Sequence, residues 1–279
     1  MANIDLTRIR SNIQGLNILH NLRTVNSELA THQLRVGTGK RINSAGDDPA
    51  GLTISTKLRS RYRVLAQLYD NIGQAKNMMS VAEGALLEIN NILTTMNEKI
   101  VMSATDSLGT AERQAISQQL VQLVDEIGDI AAQTEFNGVA LLSNTTTFKF
   151  QTAPNDQTTW TTSAFDAASL GMSSLATLTA TDVIDTDNYQ PYYNEVEAAL
   201  NTVNEGLTIL GSLTNRLTAK ESMISVARNN TEAAYNRIFN ADMASEQIEV
   251  TKNQILQQTS FGMLAQANMN SQSVLALFQ

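Results

Sequence analysis

From Ile54 to Ile100 apolar side chains return at alternating intervals of four and three residues. The row is Ile54, Leu58, Leu65, Leu68, Ile72, Ala75, Met79, Ala82, Leu86, Ile89, Leu93, Met96 and Ile100, with Arg61 its one polar member. A 3.5-residue period held this far predicts a helix packed along its length against other helices. No proline interrupts it. At 1.5 Å per residue it would be about 70 Å long. A globule of this chain length would have a radius of gyration of about 19 Å. The helix outgrows such a globule, so the sequence predicts an elongated body.

The same spacing recurs on either side. A first helix over roughly 5–36 carries Ile18, Leu22, Val25, Leu29, His32 and Val36 on one stripe, and Gly37-Thr38-Gly39 stops it. Turn formers fill 41–51, where Asp48 followed by Pro49 reads as an N-cap with proline at the first helical position. After a break at Thr105–Thr110, a helix over about 111–133 repeats the stripe at Ile116, Leu120, Leu123, Ile127 and Ile130, and Phe136-Asn137-Gly138 is a turn that ends it. Residues 144–190 are rich in Thr, Ser, Asp and Asn. There Phe148–Gln151, a turn at Pro154-Asn155-Asp156 and a return over Thr158–Phe165 predict a β-hairpin. Helix resumes near Tyr192 and runs almost to the end. Its seam is Val196, Ala199, Val203, Leu210, Leu213 and Leu217, with Gly206 in the slot between Val203 and Leu210, then Ile224, Ala227, Ala234, Ile238 and Ala241. The last stretch holds Ile248, Ile255, Leu256, Phe261, Leu264, Leu275 and Phe278 among many Gln and Asn.

The fold class this implies is mainly α: an elongated antiparallel helical bundle with a small β-hairpin region at the distal turn and the termini paired at the other end. Three regions follow: terminal coiled-coil arms at 1–40 and 240–279, a helical rod of 41–143 and 191–239, and a short variable region at 144–190. The apolar positions of the arms have no cover from the middle of the chain. They are expected to stay poorly ordered in a free subunit and to fold where subunits meet.

Composition narrows the chemistry. The net charge of −8 disfavours nucleic-acid binding, which needs clustered Lys and Arg. With no cysteine there are no disulfides, thiolate metal sites or thiol nucleophiles. The two histidines, His20 and His32, lie twelve residues apart on the first helix, outside any metal-ligand spacing. Gly37-Thr38-Gly39-Lys40 lacks the spacing and the hydroxyl of a phosphate loop. Lys57, Arg59, Arg61 and Arg63 spread around their helix, and the arms' polar faces are rich in Gln, Asn and Ser, so partner helices suit them better than membranes. No catalytic residue, metal site or cofactor is expected. The N-terminus shows no secretory signal pattern and no stretch is long and apolar enough for a membrane span, so any route out of the cell avoids a cleaved signal.

Several stretches resemble bacterial flagellins. Arg41-Ile42-Asn43-Ser44-Ala45-Gly46-Asp47-Asp48-Pro49-Ala50-Gly51-Leu52 is similar to the turn after that family's first helix. Gln133-Thr134-Glu135-Phe136-Asn137-Gly138-Val139 is similar to its Q-T-x-F-N-G, and Asn240–Glu246 to its D-x-A-x-E stretch. Gln254-Ile255-Leu256-Gln257-Gln258 and Leu264-Ala265-Gln266-Ala267-Asn268 are similar to its C-terminal arm. The resemblance covers about 1–145 and 190–279.

It implies a structural subunit that self-assembles into an extracellular motility filament after export through the flagellum's own channel. The paired arms would form the inner tube through Ile18, Leu22, Val25, Leu29, Val36, Ile248, Ile255, Leu256, Phe261, Leu264, Leu275 and Phe278. The turn residues Arg41, Ile42, Asn43, Asp47, Asp48 and Pro49 would lie between the two layers of the wall. Implied partners are other copies of the chain, a filament cap protein, hook-associated proteins and an export chaperone on the C-terminal arm, with neither nucleic acid nor membrane. The family's innate-receptor epitope is degenerate here. Thr95 takes the place of an arginine, a second arginine is also lost, Glu98 is kept, Lys99 stands where leucine is usual and Gln119 where glutamate is usual. Weak recognition by the vertebrate receptor is the expectation. The terminal Leu277-Phe278-Gln279 also departs from the family pattern. A hook–filament junction protein, which shares such arms, is the alternative. An enzyme on the same scaffold would need a larger centre, and an intracellular coiled-coil module would be told apart by its location.

Overall fold

The computed structural model describes residues 12–179 and 182–276, the side chains of 271 and 273–276 excepted. The helices are α1 (Ile13–Thr38), α2 (Pro49–Ser103), α3 (Thr110–Gln133), α4 (Ser173–Ala176), α5 (Tyr189–Phe239) and α6 (Met243–Ala276). Strand β1 (Glu135–Phe136) pairs antiparallel with β2 (Val139–Ala140), and β3 (Thr147–Ala153) with β4 (Asp156–Thr161). The chain is mainly helical with small antiparallel hairpins, the class its periodicity predicts. It divides into two compact units. One holds the described residues up to Tyr62 with those from Asn230 on, and the other is Arg63–Asn229.

In the second unit the long stripe does what its spacing requires. Every member from Leu65 to Ile100 is buried. The earlier members belong to the other unit and behave differently. Ile54 is 49% exposed and Arg61 is exposed, while α2 there buries Gly51 and Ser55. Along α5, Val196, Ala199, Val203, Leu210, Leu213, Leu217 and Ile224 are buried in the same core. Polar ties fix the direction of α5 against α2. The Arg228 guanidinium lies 5.1 Å from the Tyr69 ring centroid, Lys76 donates to Glu221 at 2.8 Å, and Asn90 donates to Asn204 at 3.0 Å. Partner numbers fall on α5 as they rise on α2, so the helices are antiparallel. Helix α3 adds Ile116, Leu120, Val124, Ile127 and Ala131, with Leu123 and Ile130 half-buried at its edge.

The β elements cap this core. Asn137 (φ 53°) and Gly138 (φ 77°) form a two-residue turn between β1 and β2. Both residues tolerate the left-handed region, as such hairpins demand. The sequence pattern predicts a helix-stopping turn here, and the structure adds the pairing of β1 with β2. In the larger hairpin Trp160 stacks on Phe148 with ring centroids 5.5 Å apart. Lys220 of α5 donates to Thr152 Oγ1 (2.9 Å), Thr158 Oγ1 (3.2 Å) and Asp156 Oδ2 (2.6 Å), which pins the tip of the hairpin to the helix. The return strand starts at Asp156 and ends at Thr161, short of the predicted Phe165. Phe165 instead fills the slot above Gly206, where a Cβ would stand 2.7 Å from its ring.

The predicted continuous helix from Tyr192 almost to the end is interrupted. Helix α5 stops at Phe239 and α6 starts at Met243. The cause lies two hundred residues away in sequence. Arg41 N–H donates to Phe239 O (2.8 Å), and the Arg41 guanidinium donates to Ile238 O through Nε (2.9 Å) and Nη2 (2.8 Å). Ala241 N–H, which a continuing helix would return to Arg237 O, donates instead to Gly39 O at 3.0 Å. Asp242 Oδ1 then accepts from Ala244 N–H at 3.0 Å and opens α6 as its N-cap. Ala241, which spacing placed in the α5 seam, sits in this break.

Candidate assembly surface

The first unit is built on α1 and α6. On α1 the stripe Gly15, Ile18, Leu22, Val25, Leu29, His32 and Val36 is buried or half-buried, with Ile18, Leu22 and Leu29 the most enclosed. Contacts at three places set the pairing. His32 Nδ1 lies 2.5 Å from Glu246 Oε2, and Arg35 Nη1 lies 3.4 Å from Glu246 Oε1. Further along, Gln257 donates to Asn26 at 2.7 Å. At the far end Asn12 donates to Ala267 O at 3.5 Å and to Asn268 Oδ1 at 3.3 Å. The two helices therefore run antiparallel.

The α6 residues turned toward α1 are Glu246, Val250, Asn253, Gln257, Ser260, Leu264 and Ala267. They keep the four-three spacing, but more than half are polar, which hid the seam from an apolar search. Of the predicted α6 positions whose side chains are described, only Leu264 lies on this face, half-buried. Ile248, Ile255, Leu256 and Phe261 point elsewhere, and together with Met263 and Met269 they are 43–67% exposed. Ile248, Ile255 and Met269 fall on one side of α6, with Gly262 at the missing seven-residue position and open space around it. The side chain of Leu275 and the whole of Phe278 lie outside the described residues.

The turn residues form a clasp at one end of this pair. Gly39 takes a left-handed conformation (φ 69°) and returns its N–H to Arg35 O. Lys40 and Asn240 make an antiparallel bridge, with Ala241 N–H donating to Gly39 O at 3.0 Å. Asp47 Oδ2 accepts from the N–H groups of Asn43 and Ser44, both at 2.8 Å. These bonds, Ser44's first, hold the Asp47 carboxyl below the usual carboxylate range. Asn43 Nδ2 donates to Lys40 O. Asp48 Oδ1 accepts from Gly51 N–H at 2.8 Å, and Pro49 is the first residue of α2. Ile42 is buried beneath, and a Cβ on Gly51 would stand 2.2 Å from Asp48 Oδ2 and 2.8 Å from Ile42 Cδ1. In the other unit Thr95, Glu98 and Gln119 are exposed and Lys99 is half-buried, on α2 and α3.

A helical protein whose first and last helices pair, and whose last helix keeps a second apolar side uncovered, has the features of a structural subunit. Residues 9–147 match the bacterial flagellin N-terminal helical region and residues 193–278 the bacterial flagellin C-terminal helical region. A flagellin of Halalkalibacterium halodurans is 35% identical over 273 residues, covering 97% of this chain and 99% of that one. A flagellin of Bacillus subtilis is 34% identical over 305 residues, covering 98% and 100%. The flagellar filament 33 kDa core protein of Treponema phagedenis is 32% identical over 284 residues, covering 97% and 99%. The chain belongs to the bacterial flagellin family, the structural subunits of the flagellar filament. A putative flagellar hook-associated protein from Vibrio parahaemolyticus shares the fold, with a TM-score of 0.62 over 70% of this chain and all of that one. At 16% identity this is a likeness of fold alone, and the junction-protein alternative is not favoured.

Proposed function

We propose that this chain polymerises through its α1/α6 arms into the extracellular filament, with other copies of itself as the main partner. The arms, 1–40 and 240–279, build the inner tube and order fully only when subunits meet. The rod, 41–143 and 191–239, builds the wall around them, and 144–190 faces outward. Arg41, Ile42, Asn43, Asp47, Asp48 and Pro49 set the angle between the two layers. The subunit meets a cap protein and hook-associated proteins at the tip, and is held beforehand by a chaperone on the C-terminal arm. It carries no catalytic role.

The observation that supports this best is the uncovered apolar side of α6, with Ile248 67% and Ile255 59% exposed on a helix whose opposite side is already engaged. Exposed apolar surface of this kind marks a contact site. The test is growth of purified full-length chain on sheared filament seeds. Ile248→Asp with Ile255→Asp places two charges where neighbours must be covered. Growth should cease while Trp160 fluorescence stays native. Growth at the wild-type rate would refute the assignment of this surface.

A further inference from the structure

The first turns of α2 carry a basic face that the fold leaves open. From Leu65 onward the long stripe is buried, but its earlier members Ile54 and Arg61 are exposed, and so is Lys57 beside them. In this stretch α2 buries Gly51 and Ser55 and half-buries Leu58 and Tyr62, so its covered side has turned off the stripe. At 3.6 residues per turn Ile54, Lys57 and Arg61 share one face. Lys57 and Arg61 stand one turn apart, a spacing at which like charges repel. Arg59, on another side, lies 5.5 Å from the Tyr235 ring centroid. Lys57 and Arg61 have no ion-pair partner among the described residues.

Helix α3 carries the same arrangement with the sign reversed. Leu120, Ile127 and Ala131 are buried, and Asp125 and Asp129 stand on the opposite side, exposed and again one turn apart. Glu126 is exposed beside them. None of these three carboxylates has an ion-pair partner among the described residues. They lie toward the C-terminal end of α3, where the helix dipole favours cations, and the last turn supplies none. The two units differ in charge in the same sense. Arg63–Asn229 carries 8 basic and 19 acidic side chains, a net −11, and the rest of the chain carries 11 and 8, a net +3.

Each pair is self-repelling where it stands, and each supplies the charges the other lacks at the same spacing. We propose that the Ile54, Lys57 and Arg61 face of α2 docks on the Asp125 and Asp129 face of α3 in a second copy of the chain, with each cation opposite one carboxylate. Localised patches of opposite sign orient the approach of subunits whose net charge is −8. This rests on the chain polymerising, as proposed above, but not on the apolar side of α6.

The test is steady elongation of the full chain on sheared filament seeds at physiological ionic strength. Lys57→Glu with Arg61→Glu sets four carboxylates against one another, and Asp125→Lys with Asp129→Lys sets four cations. Each reversal should slow elongation by about tenfold or more, because like charges facing each other across a contact are costly. The chain carrying all four substitutions should elongate at a rate within about threefold of wild type, after a lag while its first layer meets wild-type ends. Trp160 fluorescence and helical circular dichroism should stay native throughout. If the first reversal fails to fold, Lys57→Gln with Arg61→Gln takes its place and should slow elongation several-fold. Wild-type elongation from a natively folded reversal overturns the proposal. So does a fourfold variant that elongates no faster than the reversals, which would put a different acidic surface on α2. If the wild-type chain itself fails to grow on seeds, the polymerisation reading falls and this docking falls with it.

Discussion

Gly206 offers the sharpest test of the core. An alanine there gains helix propensity worth about 1 kcal/mol over glycine. On that ground alone Gly206→Ala, inside a long helix, should stabilise. The packing argues the reverse. Its Cβ would stand 2.7 Å from Phe165 Cζ, 3.2 Å from Phe165 Cε1 and 3.5 Å from Leu86 Cδ1. Carbon atoms pack best at about 3.5–4.0 Å, so the ring must retreat by about 1 Å. It has little freedom to do so: Phe165 is 5% exposed and its N–H is held by Leu142 O at 2.9 Å. Overpacking of this kind costs about 1–3 kcal/mol. The net effect is therefore a loss of about 1 kcal/mol for Gly206→Ala, rising to about 3 kcal/mol for Gly206→Val.

A double mutant separates packing from propensity. Phe165→Leu shortens the side chain that occupies the slot, so Gly206→Ala in that background should become stabilising, a coupling of about 1–2 kcal/mol. Urea unfolding followed by the chain's single tryptophan is the assay, since Trp160 is 4% exposed and belongs to the same core. If Gly206→Ala alone stabilises by the full propensity gain, or if the two substitutions simply add, Phe165 does not occupy the slot.

Two other outcomes are expected. Lys220, first by its hydrogen bond and then by its charge, holds the Asp156 carboxyl below the usual range. A depressed carboxylate pKa contributes stability that is present above the unfolded value of about 3.9 and lost as pH falls through the folded value. The hairpin should therefore loosen below about pH 4, and Asp156→Asn should remove that part of the acid transition in Trp160 fluorescence; an acid limb identical to wild type would count against the tie. The flagellin resemblance implies a receptor epitope at Thr95, Glu98, Lys99 and Gln119, of which Glu98 alone keeps the family residue, and losing charged and apolar anchors from an interface centre typically weakens binding by several kcal/mol. Sheared filaments should give a feeble signal in a reporter assay for the vertebrate flagellin receptor, and full potency would refute this.

What the sequence reveals depends on whether one period accounts for burial. From Leu65 to Ile100 each stripe position meets a neighbour of the same kind, so apolar spacing and burial coincide. The Asp48-Pro49 start was legible because capping is local chemistry, and so was Gly206, a gap in an otherwise complete seam. The end of α5 was not. Ala234, Ile238 and Ala241 keep the rhythm past Phe239, and the bonds made at the break come from Gly39 and Arg41, which no local window contains. Asp242 as an N-cap was the one local sign of the break.

The last helix inverts the usual rule, and the inversion has a physical reading. Its apolar residues Ile248, Ile255, Leu256 and Phe261 lie away from α1, while Glu246, Asn253, Gln257 and Ser260 face it. A helix bearing its greater hydrophobicity away from its intramolecular partner gains more from a neighbouring chain than from its own. Polar contacts then serve a different purpose within the subunit. The bonds His32–Glu246 and Asn26–Gln257 are directional and few, so they define which turns of α1 and α6 meet while contributing little cohesion in total. On the assembly surface proposed above, alignment and cohesion fall on opposite sides of one helix, and apolar periodicity alone marks the second side and misses the first.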